Sequence, residues 1–242
     1  RVAYAVFVLM NALENVFAPQ VYRRMFASDA GGGAAIATYL MPFLYVSIGA
    51  ALIVAAFARE AIAFLTPPSY HAAIPIVGVL ALYYAALFFG KLPQLLFAKK
   101  TALLAGLSVV RLALNVIFCA VFTKYWGAFG AAGGTLVGGV IATAIYARLG
   151  QRQYRIVWPV GAIAAMYGLL AATVVLVLVL PMFEIGLWPS LALRAAMVGA
   201  YLWLGTSLRI LGGGTIDMIA AMVRRRLGWS PDGLPAMENS VK

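Results

Sequence analysis

The sequence predicts an all-α integral membrane protein with about seven transmembrane helices. Of its 242 residues, 64% are hydrophobic and only 10% are charged, whereas a soluble domain is about 45–50% apolar and about 25% charged. A soluble core of this size could not bury so much apolar surface, but a bilayer accommodates it. The 24 glycines agree with this class, because packed membrane helices use small residues to approach one another closely.

Seven apolar stretches come close to the ~20 residues that a helix needs to cross the hydrocarbon core. The loops between them are short. The loop 58–71 contains a short apolar piece before Pro67-Pro68, which predicts a half-helix at the membrane surface that proline ends. The predicted spans are 2–19, 34–57, 73–97, 102–122, 128–149, 159–180 and 185–211.

Seven spans place successive loops on opposite sides of the membrane, and the loops of one side carry most of the lysines and arginines. Because cationic loops remain in the cytoplasm, the richer set predicts the cytoplasmic side of a multi-pass protein in the cell inner (plasma) membrane. The first span then enters from outside, and the C-terminus is cytoplasmic. Topology also accounts for the net charge of +11, so we expect no nucleic-acid partner. The richer set is Arg23, Arg24, Lys99, Lys100, Arg148, Arg152, Arg155, Arg209, Arg224, Arg225, Arg226 and Lys242, and the outer set is Arg1, Arg59 and Lys124.

The chain divides into a membrane lobe, 1–211, and a cytoplasmic tail, 212–242. Arg1 is followed at once by apolar sequence without a targeting region, so we expect the chain to begin inside a longer protein. In the tail, 215–227 places apolar residues at helical spacing beside three arginines. This pattern predicts either a basic amphipathic helix on the inner leaflet or a positive-inside stop signal. From Ser230 onward the composition predicts disorder.

Arg111 is the strongest candidate for a binding residue within the spans. It lies eleven residues past Lys100, which places it about 16 Å from the inner surface at the helical rise of about 1.5 Å per residue. A charge near the midplane lines a polar cavity or makes a structural hydrogen bond to neighbouring carbonyls. Asn115 follows four residues later, on the same helical face. Together the two side chains could present donors to an anionic ligand.

Lys91 and Glu14 lie at similar depths on the inner side, eight residues before Lys99 and nine before Arg23 respectively. They could form an ion pair that lowers the burial cost of both charges, or Lys91 could contact a phosphate directly. Gln94 is a further polar candidate for substrate contact. Arg194 lies in the outer half of the last span, where it either takes part in binding or extends its charged group outward to water.

No catalytic or metal-binding pattern is present in the sequence. His71 is the single histidine and stands at a membrane edge, and the single cysteine, Cys119, lies in an apolar stretch. Paired carboxylates, a Ser/His/Asp set and an acidic metal motif are all missing. We therefore expect a transporter rather than an enzyme, with no metal and no cofactor.

Four short motifs resemble the C-terminal half of a polysaccharide (O-antigen or exopolysaccharide) flippase of the multidrug/oligosaccharidyl-lipid/polysaccharide exporter superfamily. They cover about residues 1–150, and the last two spans agree by hydropathy. The second motif lacks the glycine that is usual in this family. The motifs are Phe17-Ala18-Pro19 with Tyr22-Arg23-Arg24, Pro68-Ser69-Tyr70-His71-Ala72-Ala73, Lys99-Lys100-Thr101 through Leu114-Asn115, and Gly127-Ala128-Phe129-Gly130-Ala131-Ala132.

This resemblance implies two six-helix lobes around a central cavity, with the present chain supplying the C-terminal lobe. It also implies that a polyprenyl-diphosphate-linked oligosaccharide crosses the membrane by alternating access. Arg111 and Lys91 would then hold the diphosphate, since cationic side chains suit phosphate oxygens. The alternatives are a multidrug or cation antiporter of the same superfamily and, from a different class, a membrane-embedded enzyme that processes glycans. An antiporter would need a titratable acid in its binding lobe, and Glu14 is the only acid within a span.

Overall fold

The structure is a computed structural model that describes residues 2–27, 32–183, 186–208 and 210. Every regular element in these ranges is helical. Three short 3-10 segments cover Pro68–Ala73, Leu87–Lys91 and Leu180–Phe183. The predicted helix at 215–227 and the tail from Ser230 lie outside the described residues. The α-helices are α1 (Tyr4–Ala27), α2 (Gly32–Ala56), α3 (Ala58–Leu65), α4 (Ile74–Ala86), α5 (Gln94–Phe97), α6 (Thr101–Gln153), α7 (Val160–Val179) and α8 (Leu187–Ser207).

Five helical segments of the described chain are long and apolar enough to cross a membrane, as expected of a multi-pass membrane protein. Helix α1 is not one of them, because Asn11, Glu14 and Asn15 lower its mean hydropathy. The sequence predicted that this helix ends at Pro19, which was wrong, because α1 continues through the proline to Ala27. The five segments are Gly32–Ala56, Pro68–Phe97, Thr101–Gln153, Val160–Phe183 and Leu187–Ser207.

Helix α6 is a hairpin of two antiparallel arms, 101–126 and 128–153. Gly127 divides them, because its φ of 54° and ψ of −135° interrupt the helix. Glycines spaced four residues apart on the second arm face the backbone of the first, so the two arms touch without intervening side chains. The contacts are Gly130 with Phe122, Gly134 with Phe118 and Gly138 with Leu114, and a Cβ added to each glycine would lie 2.0, 2.6 and 3.0 Å from the partner's carbonyl oxygen.

The third predicted span, 73–97, is not one continuous helix. Helix α4 tightens into the 3-10 segment Leu87–Lys91, Leu92 is extended, with φ −72° and ψ 136°, and α5 begins after Pro93. The cause is local, because the proline ring forces the preceding residue out of the helical region. Pro93 therefore indicated this break in the sequence, but hydropathy alone does not distinguish a broken apolar helix from a continuous one.

Helix α2 lies at the centre of the bundle, where it contacts α1, α4, α7 and α8. The first arm of α6 lies at the periphery, and none of residues 101–129 is buried. At one end, edge-to-face ring contacts join the ends of α1, α5 and α6, with Phe97 4.8 Å from Phe26 and 5.6 Å from Tyr154 between ring centroids. At the opposite end, α3 forms the short helix predicted before Pro67-Pro68. The break in the third span lies next to the end with the ring contacts, because α5 follows it directly.

Candidate functional site

A polar cavity of about 330 Å³ lies between the two arms of α6 and the broken part of the third span. The first arm contributes Ser108 and Arg111, which are three residues apart and so share a helical face. The second arm contributes Thr143 and Tyr146, and the broken segment contributes Gly90. The cavity is completed by four small or apolar residues: Leu104, Ala105, Leu107 and Ala142. The hairpin geometry therefore brings side chains from distant parts of the chain to one site.

Tyr83 holds the Arg111 guanidinium at the wall of this cavity. The Arg111 Nη2 atom donates a hydrogen bond of 2.9 Å to the Tyr83 hydroxyl. Tyr83 is buried against Gly139, where an added Cβ would lie 2.2 Å from the tyrosine ring. A guanidinium carries five N–H donors, and among the described residues the Tyr83 hydroxyl is its one hydrogen-bond acceptor. Arg111 is thus fixed on one side and keeps donors for a ligand.

The hydroxyl groups in the cavity present oxygen lone pairs. Tyr146 Oη donates its proton to the Leu92 carbonyl at 3.0 Å, and Ser108 Oγ donates to the Leu104 carbonyl at 3.1 Å. A hydroxyl whose proton is used this way still accepts hydrogen bonds through its oxygen. The site therefore combines cationic donors from Arg111 with neutral acceptors, which suits a ligand that has both an anionic group and hydroxyl groups.

The ion pair expected from the depths of Lys91 and Glu14 is present. Lys91 Nζ contacts the Glu14 carboxylate and donates to Asn11 Oδ1 at 2.6 Å. It also lies 5.3 Å from the centroid of the Phe7 ring. Lys91 ends the 3-10 segment, so the break in the third span directs its side chain towards α1. Direct contact of Lys91 with a phosphate stays a prediction.

Gln94 and Asn115 lie outside the walls of this cavity. Gln94 is fully buried, and its Nε2 atom donates to the Tyr154 carbonyl at 2.6 Å. Asn115 is half-buried beside Gly138, where the two arms of α6 touch. Although Asn115 follows Arg111 by one helical turn, the two residues do not line the cavity together.

Arg194 is buried at the end of the bundle where α3 lies. Its Nη1 atom lies 2.8 Å from the Glu60 carboxylate oxygens and donates to the Ala56 carbonyl at 3.1 Å. Its Nε and Nη2 atoms donate to the carbonyl and hydroxyl of Ser190, both at 3.1 Å. Arg194 does not line the cavity beside Arg111, and any role in substrate binding stays a prediction.

Sequence reasoning missed several residues of these two sites. Ser108 could have been found, because it lies three residues before Arg111 on the same helix. Spacing along the sequence did not indicate Tyr83, Thr143 or Tyr146, since only the packing of α4 and the second arm of α6 brings them to Arg111. Glu60, the partner of Arg194, is 134 residues away in sequence.

The described residues hold no group of three or more His, Cys, Asp or Glu side chains that could bind a metal ion. Cys119 lies in the α6 hairpin, with its Sγ atom 3.3 Å from the Thr135 hydroxyl oxygen. Comparisons with family models, curated proteins and solved structures found no match to this chain.

Proposed function

We propose that this protein moves a polyprenyl-diphosphate-linked oligosaccharide across the cell inner membrane for polysaccharide biosynthesis. The observation that carries the proposal is the position of Arg111 in the polar cavity between the two arms of α6. Guanidinium groups bind phosphate oxygens through paired, charge-assisted hydrogen bonds. The hydroxyl oxygens of Ser108, Thr143 and Tyr146 offer acceptors to sugar hydroxyl groups.

An apolar groove beside the polar cavity supports a ligand with a lipid tail. The groove has a volume of about 550 Å³ and is lined by side chains of α4, α7 and the second arm of α6, including Leu82, Ile141 and Tyr167. Thr143 lines both the groove and the polar cavity. A molecule with an anionic head and a long apolar tail could therefore occupy both spaces at once.

The proposal includes a seven-span topology. Each arm of α6 contains 26 residues, or about 39 Å of helix at 1.5 Å per residue, which exceeds the hydrocarbon thickness of about 30 Å. Counting the arms separately and adding α1 to the apolar segments gives seven spans. The lysines and arginines near α5 and the end of α6 would then face the cytoplasm, as would the C-terminus. The resemblance further implies a second, six-helix lobe.

The ion pair between Lys91 and Glu14 favours an anionic substrate over a cationic drug. A cation antiporter would need Glu14 free to bind a proton or a cation, whereas the carboxylate is already neutralised by Lys91. Arg111 meanwhile presents positive charge to the cavity. These two observations make the multidrug or cation antiporter the weaker proposal.

The proposal is tested by surface polysaccharide export in cells that lack their own flippase. The gene is expressed together with any coding sequence that precedes Arg1. Arg111→Gln removes the charge, and Arg111→Lys keeps it without the planar pair of donors. We expect export to fall at least about tenfold for Arg111→Gln and less for Arg111→Lys, because a hydrogen bond to a charged group contributes about 1.5–3 kcal/mol.

Arg148→Gln is the matched control, because Arg148 is an exposed arginine on the second arm of α6 that does not line the cavity. All variants are compared at equal membrane abundance. Wild-type export by Arg111→Gln would remove Arg111 from the mechanism. Failure of the unaltered protein to export any lipid-linked glycan would reject the flippase function itself.

A further inference from the structure

A second cavity, of about 490 Å³, lies at the end of the bundle opposite Lys99 and Lys100. It is enclosed by α3, the beginnings of α4 and α8, and the end of α7. Its polar wall residues are Arg59, His71, Ser190 and Arg194, and its apolar walls include Pro75 and Leu178. None of these residues lines the cavity beside Arg111, so the two sites are separate.

The charges of the described residues at this second cavity do not cancel. Arg194 is 2% exposed and paired with Glu60, while Arg59 is a second, exposed arginine on the cavity wall. Among the described residues, one carboxylate therefore accompanies two guanidinium groups, which leaves a net positive charge. His71 Nε2 is buried and has no hydrogen-bond partner among the described residues. The side chains thus offer positive charge and a buried histidine nitrogen to which a ligand could bond.

The backbone contributes little net charge to this cavity. Ser190 lies in the first turn of the 21-residue helix α8, and a helix N-terminus carries a partial positive charge. The end of α7 contributes the opposite sign at Leu178 and offsets it. Helix α4 continues directly from the 3-10 segment Pro68–Ala73, so its beginning is not a free N-terminus. The two arginines and one carboxylate of the described residues therefore favour an anion.

We propose that this cavity binds the phosphate group of an anionic lipid. Arg59 and His71 would contact the phosphate, whereas Arg194 remains paired with Glu60 and anchors α8 to α3. Most of the wall is apolar, which suits the glycerol and upper acyl carbons of a lipid better than a fully hydrated ion. The inference does not depend on the proposed transport function, because it concerns different residues and a ligand of the bilayer itself.

The test measures lipid retained by the purified protein in detergent, using native mass spectrometry. Phosphatidylglycerol and phosphatidylcholine are supplied at equal concentration. The unaltered protein should retain phosphatidylglycerol preferentially, and Arg59→Gln with His71→Gln should weaken that retention about tenfold, as expected when charge-assisted contacts are lost. Lys124→Gln is the matched control, because Lys124 is a cation predicted on the same side of the membrane that does not line the cavity. The control should stay within about twofold of wild type.

Arg59→Gln alone guards against a folding defect, because its side chain is exposed, and it should produce part of the loss with unchanged helical circular dichroism. Soluble glycerol phosphate is then added as a competitor. Displacement at millimolar concentration would identify the phosphate as sufficient for binding, and no displacement would show that the lipid body is also required. Equal retention of both lipids, or equal effects of the double variant and Lys124→Gln, would overturn the proposal. No transport is measured, so these results are independent of the flippase test.

Discussion

Replacing Gly134 by alanine should weaken the α6 hairpin that carries both walls of the polar cavity. The added Cβ would lie 2.6 Å from the backbone of Phe118 and Cys119, whereas carbon contacts are most favourable at about 3.5–4.0 Å. The arms must therefore move apart locally by about 1 Å to restore normal contact. Such overpacking costs about 1–3 kcal/mol, against a gain of up to about 1 kcal/mol in helix propensity.

Gly133→Ala separates these two effects. It lies next to Gly134 on the same helix and gains the same propensity, but its Cβ would meet only the Phe122 ring, at 3.5 Å. Equilibrium unfolding in mixed micelles of mild detergent and dodecyl sulfate measures the difference. We expect Gly134→Ala to be less stable than Gly133→Ala by about 1–3 kcal/mol. Equal stability of the two variants would refute the close contact between the arms.

Three further predictions concern single positions around the site. Tyr83→Phe should leave the protein folded but lower glycan export about threefold to tenfold, because Arg111 loses its acceptor; wild-type export would show that this hydrogen bond is dispensable. Lys91→Met should destabilise the protein by about 1–3 kcal/mol, since it leaves a partly buried carboxylate unpaired, and adding Glu14→Gln should recover most of this loss in the same unfolding assay. Gly127→Ala should cost about 1–3 kcal/mol, because alanine resists the positive φ at the hairpin turn, and unchanged stability would contradict that strain.

The sequence predicted the position of most helices but not the contacts between them. Hydropathy placed 34–57 and 159–180 within a few residues of α2 and α7, because membrane insertion depends on local apolar character. It failed at the third span, where Pro93 breaks the helix inside a continuous apolar stretch. The membrane depth of each residue, estimated from its distance in sequence to flanking cations, correctly indicated that Lys91 and Glu14 could meet. It could not reveal Tyr83 beside Arg111, because that contact depends on how α4 packs against α6.

Small residues and one proline explain why the polar groups meet at this site. In a bilayer, apolar surface gains little by moving from lipid to protein, so helix association depends on close packing and hydrogen bonds. Gly134 lets the arms of α6 touch, and Gly139 makes room for Tyr83, which in turn positions Arg111. Pro93 interrupts the helix beside Gly90, and Tyr146 accommodates that interruption by bonding to the freed Leu92 carbonyl. The wall of the cavity therefore forms where a helix is broken, which is where irregular backbone within the membrane is tolerated.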